Sequence, residues 1–320
     1  MTVTVVTRNR ARVLGHCLRR LADQSLDPSR YEIVVVDDGS TDETTAVIAA
    51  AQRQARCQIR ACRFPEHRGL STVRNRSVRE ARGAVIVFVD SDGLVPRSFL
   101  SVHLAAHQER DIICRGPIVA VDSLQQPFDT RWSLLDLNTS FFDTSNASVR
   151  REHLFEAGLF DQMLADWEGL EMGLRLRQLG LRRVYRANAP LYHYQPPVTA
   201  ESLAKSLHIQ EDRARSARRF FARHPTLEVR LITSQTILHR WLNVMERGFG
   251  VVHSGNLAAW VERCRQWGVP ALSRVLAGAV VTERYLSHLQ RVTSGSPTQA
   301  SAPATLDGAW PRRDNDAMGP

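Results

Sequence analysis

Apolar positions in the first part of the chain follow two alternating patterns. Val3–Thr7, Tyr31–Val36 and Ala84–Val89 are short, β-branched, nearly continuous apolar runs. Such runs predict strands buried on both faces, as in a parallel sheet. After the first of them, Val13, Leu14, Cys17, Leu18 and Leu21 recur at helical spacing over 10–24. Helices are also predicted over 42–55, behind the cap candidates Ser40 and Thr41, and over 70–82, with a weak strand over 57–63. Strands joined by single helices require right-handed crossovers, so the pattern predicts an α/β fold with a doubly wound, mostly parallel sheet flanked by helices. Further on, the spacing predicts a helix over 96–108, a strand over 111–121 and an irregular stretch to 143. It then predicts a helix over 147–157 capped by Asn146, a helix over 167–180 stopped at Gly180, and a strand over 182–186. Residues 200–290 read as helical and arginine-rich, and the Ser/Pro/Ala/Gly-rich residues from 292 as a disordered tail. The expected organisation is an α/β domain over 1–198 (halves 1–93 and 94–198), a helical C-terminal region over 199–291, and the tail over 292–320.

Ligands of wound sheets bind at the carboxyl ends of the strands. In this chain Thr7, Asp37, Asp38, Asp90 and Asp92 all follow the ends of apolar strands. Asp90-Ser91-Asp92 places two carboxylates at i and i+2, a pair of hard oxygen ligands suited to Mg²⁺ or Mn²⁺. Asp38 is either a turn residue or an acceptor for a nucleobase or ribose, and the second acidic strand end favours the latter. Gly69 opens a helix whose N-terminus suits an anion. Arg74, one turn in, is read equally as a contact to phosphate or base and as a surface arginine. In Asp166-Trp167-Glu168-Gly169-Leu170-Glu171, a carboxylate beside an apolar ring can serve as a base, whereas the plain alternative is first-turn acids complementing the helix dipole. His193 follows a predicted strand and by itself reads as a packed residue.

Charge narrows the classes of partner. The formal net charge is +9, and 41 of the 42 basic residues are arginine, Lys205 being the one lysine. That skew reads as compositional bias, and a basic surface favours anionic partners such as sugar nucleotides or acidic lipids. No zinc-finger spacing or basic zipper points to nucleic acid. The five cysteines form no CxxC and read as reduced, structural thiols. No apolar run approaches the ~20 residues of a membrane-spanning helix. The opening MTVTVVTRNR predicts no secretory leader, so a cytoplasmic protein is expected, with the inner face of the membrane as a second location. A solvated helix is expected over 208–225, with contact to an anionic bilayer as the alternative. No GxGxxG follows the first strand, which disfavours a dinucleotide-dependent oxidoreductase.

The strings VTVVTRNR, YEIVVVDDGSTDET, HRGLSTVRN, EARGAVIVFVDSD, TSNASVRREHLFEAGLFD and DWEGLEMGLRLRQLGLRRVY occur in this order. Together they resemble glycosyltransferase family 2, enzymes of the GT-A fold, over about residues 1–195. The resemblance implies an inverting transfer of a sugar from a nucleoside-diphosphate sugar, a UDP-sugar or a related donor, to the hydroxyl of an unspecified acceptor: a glycan, a lipid-linked intermediate or a small molecule. It implies that Thr7 and Asp38 line the nucleobase and ribose pocket, and that Arg74 lies near the base or diphosphate. Asp90 and Asp92 would hold Mn²⁺ or Mg²⁺, with His193 as a further metal contact. Family members commonly read Trp-Glu-Asp-x-Glu where this chain has Gly169 in place of the Asp. Glu168 is therefore the expected base. The alternative is a catalytically impaired nucleotide-sugar-binding protein of the same fold.

Overall fold

The computed structural model describes residues 1–125, 128, 140–164, 166–196, 200–247, 251–267 and 270–294. The chain opens with β1 (Thr2–Thr7), α1 (Ala11–Ala22), β2 (Glu32–Asp37), α2 (Thr44–Gln54), β3 (Gln58–Arg63), α3 (Leu70–Glu80) and β4 (Val85–Asp90). There follow β5 (Gly93–Leu94), α4 (Phe99–Ala106), β6 (Ile112–Arg115), β7 (Ile118–Val121), β8 (Asn146–Arg150), α5 (Arg151–Glu156), α6 (Glu168–Gln178), β9 (Arg182–Tyr185) and β10 (Leu191–Tyr194). The helices α7 (Ala200–His208), α8 (Gln210–Arg223), α9 (Leu227–Ile232), α10 (Ile237–Glu246), α11 (Leu257–Gln266) and α12 (Pro270–Ser294) complete it.

The expected α/β architecture is observed: a seven-stranded sheet in the order β3-β2-β1-β4-β8-β6-β9, flanked by helices and followed by a helical C-terminal region. Within the sheet only β8 runs antiparallel to its neighbours. β1 pairs in parallel with β2 on one side and β4 on the other, so the strand order reverses beside β1. A crevice for a ligand opens at such a switch point. The β-branched runs are buried because both faces of the sheet are covered. Val3, Val5, Ile33 and Val35 pack with Leu14, Leu18 and Leu21 of α1 on one face. Ile86 and Phe88 pack with Phe142, Phe160, Met172 and Leu176 on the other. There Phe88 meets Phe142 and Phe160 edge to face, with ring centroids 5.6 and 5.7 Å apart.

Several expectations change. The single strand expected over 111–121 is split at Gly116-Pro117, and its halves β6 and β7 lie in different sheets. The residues expected to begin a helix at 147 form β8, and the helix starts only at Arg151. Asn146 therefore caps nothing; its amide donates to the carbonyls of Pro117 (2.9 Å) and Ala189 (3.0 Å), fastening β8 to the two neighbouring turns. Alternation in NASVR was masked by its small residues, which tertiary contacts assign to the sheet. Ser40 and Thr41 do not cap α2. Ser40 bonds to Asp37 and accepts from the Asn9 amide, and Asp42 instead accepts from the Thr44 amide. α12 runs to Ser294, and the rest of the expected tail, 295–320, lies outside the described residues, as does most of the irregular stretch before 140.

Two buried histidines join α4 to β8. The Asn146 amide nitrogen is committed to carbonyls, so its oxygen accepts from His103 Nε2–H at 3.2 Å. A neutral His103 must then accept at Nδ1, from the Ser148 hydroxyl at 2.8 Å, whose oxygen is left to accept from His107 Nε2–H, also at 2.8 Å. This single consistent arrangement holds both rings uncharged. Burial pushes His103 down to about 3 against the bond to Asn146, and burial together with the charge of Arg150 pushes His107 down to about 4.

Both folded values lie below the ordinary histidine value near 6.5, so the unfolded chain binds the extra protons and stability falls as the pH is lowered. The contribution is complete above pH 6.5 and is lost from there down to about pH 4 for His107 and about pH 3 for His103, at up to about 1.4 kcal/mol per pH unit for each histidine. Urea unfolding between pH 7 and 4.5 is expected to show a steeper acid slope for the wild type than for His103→Gln/His107→Gln. Equal slopes would contradict this assignment.

Candidate active site

The carboxyl ends of β1, β2 and β4 open onto a hollow of about 460 Å³, and Thr7, Asp38, Asp90, Asp92 and His193 all line it. Local backbone chemistry sets each one. Gly39 turns at φ +69°, and a Cβ there would lie 2.6 Å from the Glu66 carbonyl carbon, so only glycine allows the 66–69 loop this close. That approach delivers the Arg68 amide to Asp38 Oδ1 at 2.6 Å and His67 Nδ1 to Oδ2 at 2.6 Å. Asn9, itself left-handed at φ 51°, accepts from the Thr41 amide at 2.8 Å and ties the loop after β1 to the loop after β2. Asp37, by contrast, does not line the hollow: it accepts from the Ser40 amide at 3.0 Å and lies 3.5 Å from Arg63 of β3.

β4 ends on Asp90, and the following turn brings Asp92 to the same hollow. His193 arrives within β10, where it stands opposite Gly93 of β5. Asp90, Asp92 and His193 each offer a ligand atom, and these atoms lie within 4.8 Å of one another. Two carboxylates and an imidazole in that space fit Mn²⁺ or Mg²⁺ with room for ligand oxygens. Each acid already has compensation. Asp92 pairs with Arg10 of the loop before α1 and with His193, whose Nε2 lies 3.0 Å from Oδ1. Asp90 accepts from the Ser145 hydroxyl at 2.6 Å and lies 3.9 Å from Arg74. Burial raises the pKa of Asp90 against the pull of Arg74 and Ser145. For Asp92 burial acts upward too, but the bond to His193 and the charges of His193 and Arg10 outweigh it and the pKa is lowered. The same bond raises His193.

Arg74 does not line this hollow. It is buried behind it, ion-paired with Glu168 and near Asp90, so it links the acidic pair to the start of α6. Glu168 is 3% exposed, and its Oε2 has no hydrogen-bond partner among the described residues. Burial raises its pKa, with Arg74 opposing. Glu168 lines a second, larger cavity of about 1110 Å³, together with Asp143, Asp166, Gly169, Leu170 and Leu227. The partner of Glu168 is thus an arginine, and the Trp167 indole faces away, donating to the Arg213 carbonyl at 3.0 Å. Glu171 is fully buried and bonds Arg175 and His224, which makes it a structural residue of α6. Arg10, His67 and Ser145 were not singled out in the sequence. They act across 82, 29 and 55 residues of chain, and no local spacing signals such pairs.

Among known proteins, residues 2–158 match the profile described as Glycosyl transferase family 2. Validoxylamine A glucosyltransferase of Streptomyces hygroscopicus subsp. limoneus is 27% identical over 353 residues, covering 93% of this chain and 72% of that protein. The chain spans 66% to 76% of the length of the first relatives it matches. Among solved structures, the mannosyltransferase PcManGT from Pyrobaculum calidifontis, in complex with GDP-Man and Mn²⁺, superposes with a TM-score of 0.59 at 18% identity, covering 89% of this chain and 86% of that one. The S. aureus protein TarS 1–349 in complex with UDP-GlcNAc superposes with a TM-score of 0.52 at 18% identity, covering 93% of both chains. These likenesses establish the GT-A fold.

Asp92→Ala removes one of the three clustered candidate ligands and leaves the sheet untouched. The variant is expected to bind Mn²⁺, in the presence of a nucleoside diphosphate, at least about tenfold more weakly than the wild type with an intact cooperative melt. Electron paramagnetic resonance of free Mn²⁺ reads this directly, and unchanged affinity would remove Asp92 from the metal set.

Proposed function

We propose, from the premise that this chain belongs to glycosyltransferase family 2 over residues 2–158 and is an enzyme that transfers sugars, that it moves a sugar from a nucleoside-diphosphate sugar to an acceptor hydroxyl with inversion. One observation carries the reading: Thr7, Asp38, Asp90, Asp92 and His193 share one hollow at the switch point of the sheet. Thr7 and Asp38 hold the nucleoside. Asp90, Asp92 and His193 hold Mn²⁺ or Mg²⁺, which when bound neutralises charge on the departing diphosphate. The neighbours hold GDP-Man in one case and UDP-GlcNAc in the other. A UDP-sugar is the donor proposed here, and a screen of both nucleotides tests it.

Glu168 is the proposed base. Its unpartnered carboxylate oxygen, with the pKa raised by burial, suits proton acceptance from the acceptor. The acceptor hydroxyl approaches from the larger cavity that Glu168 lines. The acceptor oxygen bonds to the anomeric carbon as the bond to the diphosphate breaks, the electron pair leaves with the diphosphate, and the proton passes to Glu168. Arg74 positions Glu168 and couples it to Asp90.

Gly169 favours a second reading, a nucleotide-sugar-binding protein with impaired turnover, since the pattern common in the family has an acid at this place. The site has space for one: a Cβ at Gly169 would meet only Thr144, at 3.5 Å, an ordinary contact.

In the presence of Mn²⁺ and donor, nucleoside-diphosphate release by Glu168→Gln is expected to fall about 10²- to 10⁴-fold from wild type with donor binding retained. Release by the wild type that equals that of Glu168→Gln would remove Glu168 as the base. Gly169→Asp is expected to fold with a higher Tm, because it replaces a helical glycine near a helix N-terminus. A silent wild type with an active Gly169→Asp would establish the second reading instead.

A further inference from the structure

We propose that Lys205, on α7 of the helical region, is a positioning residue for the diphosphate of the donor, so that the helical region completes the nucleotide site. The proposal rests on the nucleotide-sugar reading above and extends it to a part of the chain beyond residues 2–158.

The hollow at the strand ends is walled by residues of the α/β domain except at Lys205. α7 is placed by its other face: Leu203 is buried among Leu257, Cys264, Leu276 and Val280 of α11 and α12, and Leu207, one turn on, packs on the same cluster. Two residues beyond Leu203 on a helix, the side chain of Lys205 leaves from the opposite side, toward the hollow.

The cations of this wall divide into committed and uncommitted groups. Arg10 and His193 are held by Asp92, and His67 is held by Asp38. Arg8 and Lys205 have no acidic partner among the described residues. Arg8 directly follows Thr7 and belongs to the nucleoside end, whereas Lys205 faces the hollow from outside the sheet. Charge bookkeeping shows why such a group is needed. Arg10 already offsets Asp92 and Arg74 is shared between Asp90 and Glu168, so a divalent ion leaves the site about one positive charge, short of the two negative charges that a sugar-diphosphate brings. The diphosphate gains a further negative charge as its bond to the sugar breaks. A cation that can follow that charge stabilises the departing group. An ammonium on a flexible four-carbon stem, with three donors, suits this better than a planar guanidinium. The chain uses arginine at every other basic position, so the lysine at 205 runs against its own composition.

The test titrates wild type, Lys205→Met, Lys205→Arg and Arg8→Met with UDP, GDP, UMP and GMP in Mn²⁺ by calorimetry. For Lys205→Met, the Kd of the nucleoside diphosphate that the wild type binds is expected to rise about tenfold, that of the matching monophosphate to stay unchanged, and Lys205→Arg to recover most of the loss. Unaltered diphosphate binding by Lys205→Met would overturn the proposal, as would an equal loss of mono- and diphosphate. It would also fall if Arg8→Met alone abolished the preference for diphosphate. A wild type that binds neither UDP nor GDP would overturn the donor reading and this inference with it. Normal wild-type binding that is undiminished in Lys205→Met removes only the role of Lys205.

Discussion

Asp38, Asp90 and Asp92 face one hollow, and taking three carboxylates partly out of water together is costly unless each has its own compensation. The surrounding structure supplies it in three ways. Asp38 receives backbone amides and an imidazole, Asp90 a hydroxyl and a distant guanidinium, and Asp92 a guanidinium and an imidazole. The strands that end at this hollow, the glycine turn that lets the 66–69 loop approach, and the small sheet that carries His193 all serve this compensation. A divalent ion entering the site would share ligands with groups that already carry positive charge.

The acidic cluster continues into the rest of the molecule through one side chain. Arg74 lies between Asp90 and Glu168, is almost wholly buried and has its guanidinium over the Phe160 ring, so it ties the acidic pair to a residue that lines the larger cavity. Removing either partner would leave a buried charge unmatched. The same connection orders α6, whose first residue is Glu168 and whose later acid, Glu171, is consumed by Arg175 and His224.

Much of this was legible in the chain itself, and the reason is physical. Runs such as EIVVVD and VIVFVD have one stable environment, the inside of a covered parallel sheet, so the strands and their acidic ends follow from the sequence. What failed depended on distant contacts. NASVR carries small residues that local propensity cannot place, and it became a strand because β4 and β6 pair with it on both sides. Arg74 read equally as a surface residue, since nothing near it in sequence shows that Glu168, 94 residues away, will bury it. The acidic pair was legible from its spacing and its place after an apolar strand, and the resemblance pointed the same way; the contacts of Arg10 and Ser145 required the three-dimensional arrangement.

The Trp167 indole lies in a shared cluster with Leu174 of α6, Ala214, Ala217 and Phe220 of α8, and Tyr285, Leu286 and Leu289 of α12. The residue immediately before Glu168 is therefore a keystone between the sheet-bearing body and the bundle that follows it. Evolution or an engineer exchanging the C-terminal bundle for that of another transferase would have to bring a matching socket for this ring. Grafts that end at the last strand would sever the seat of α6 together with the bundle.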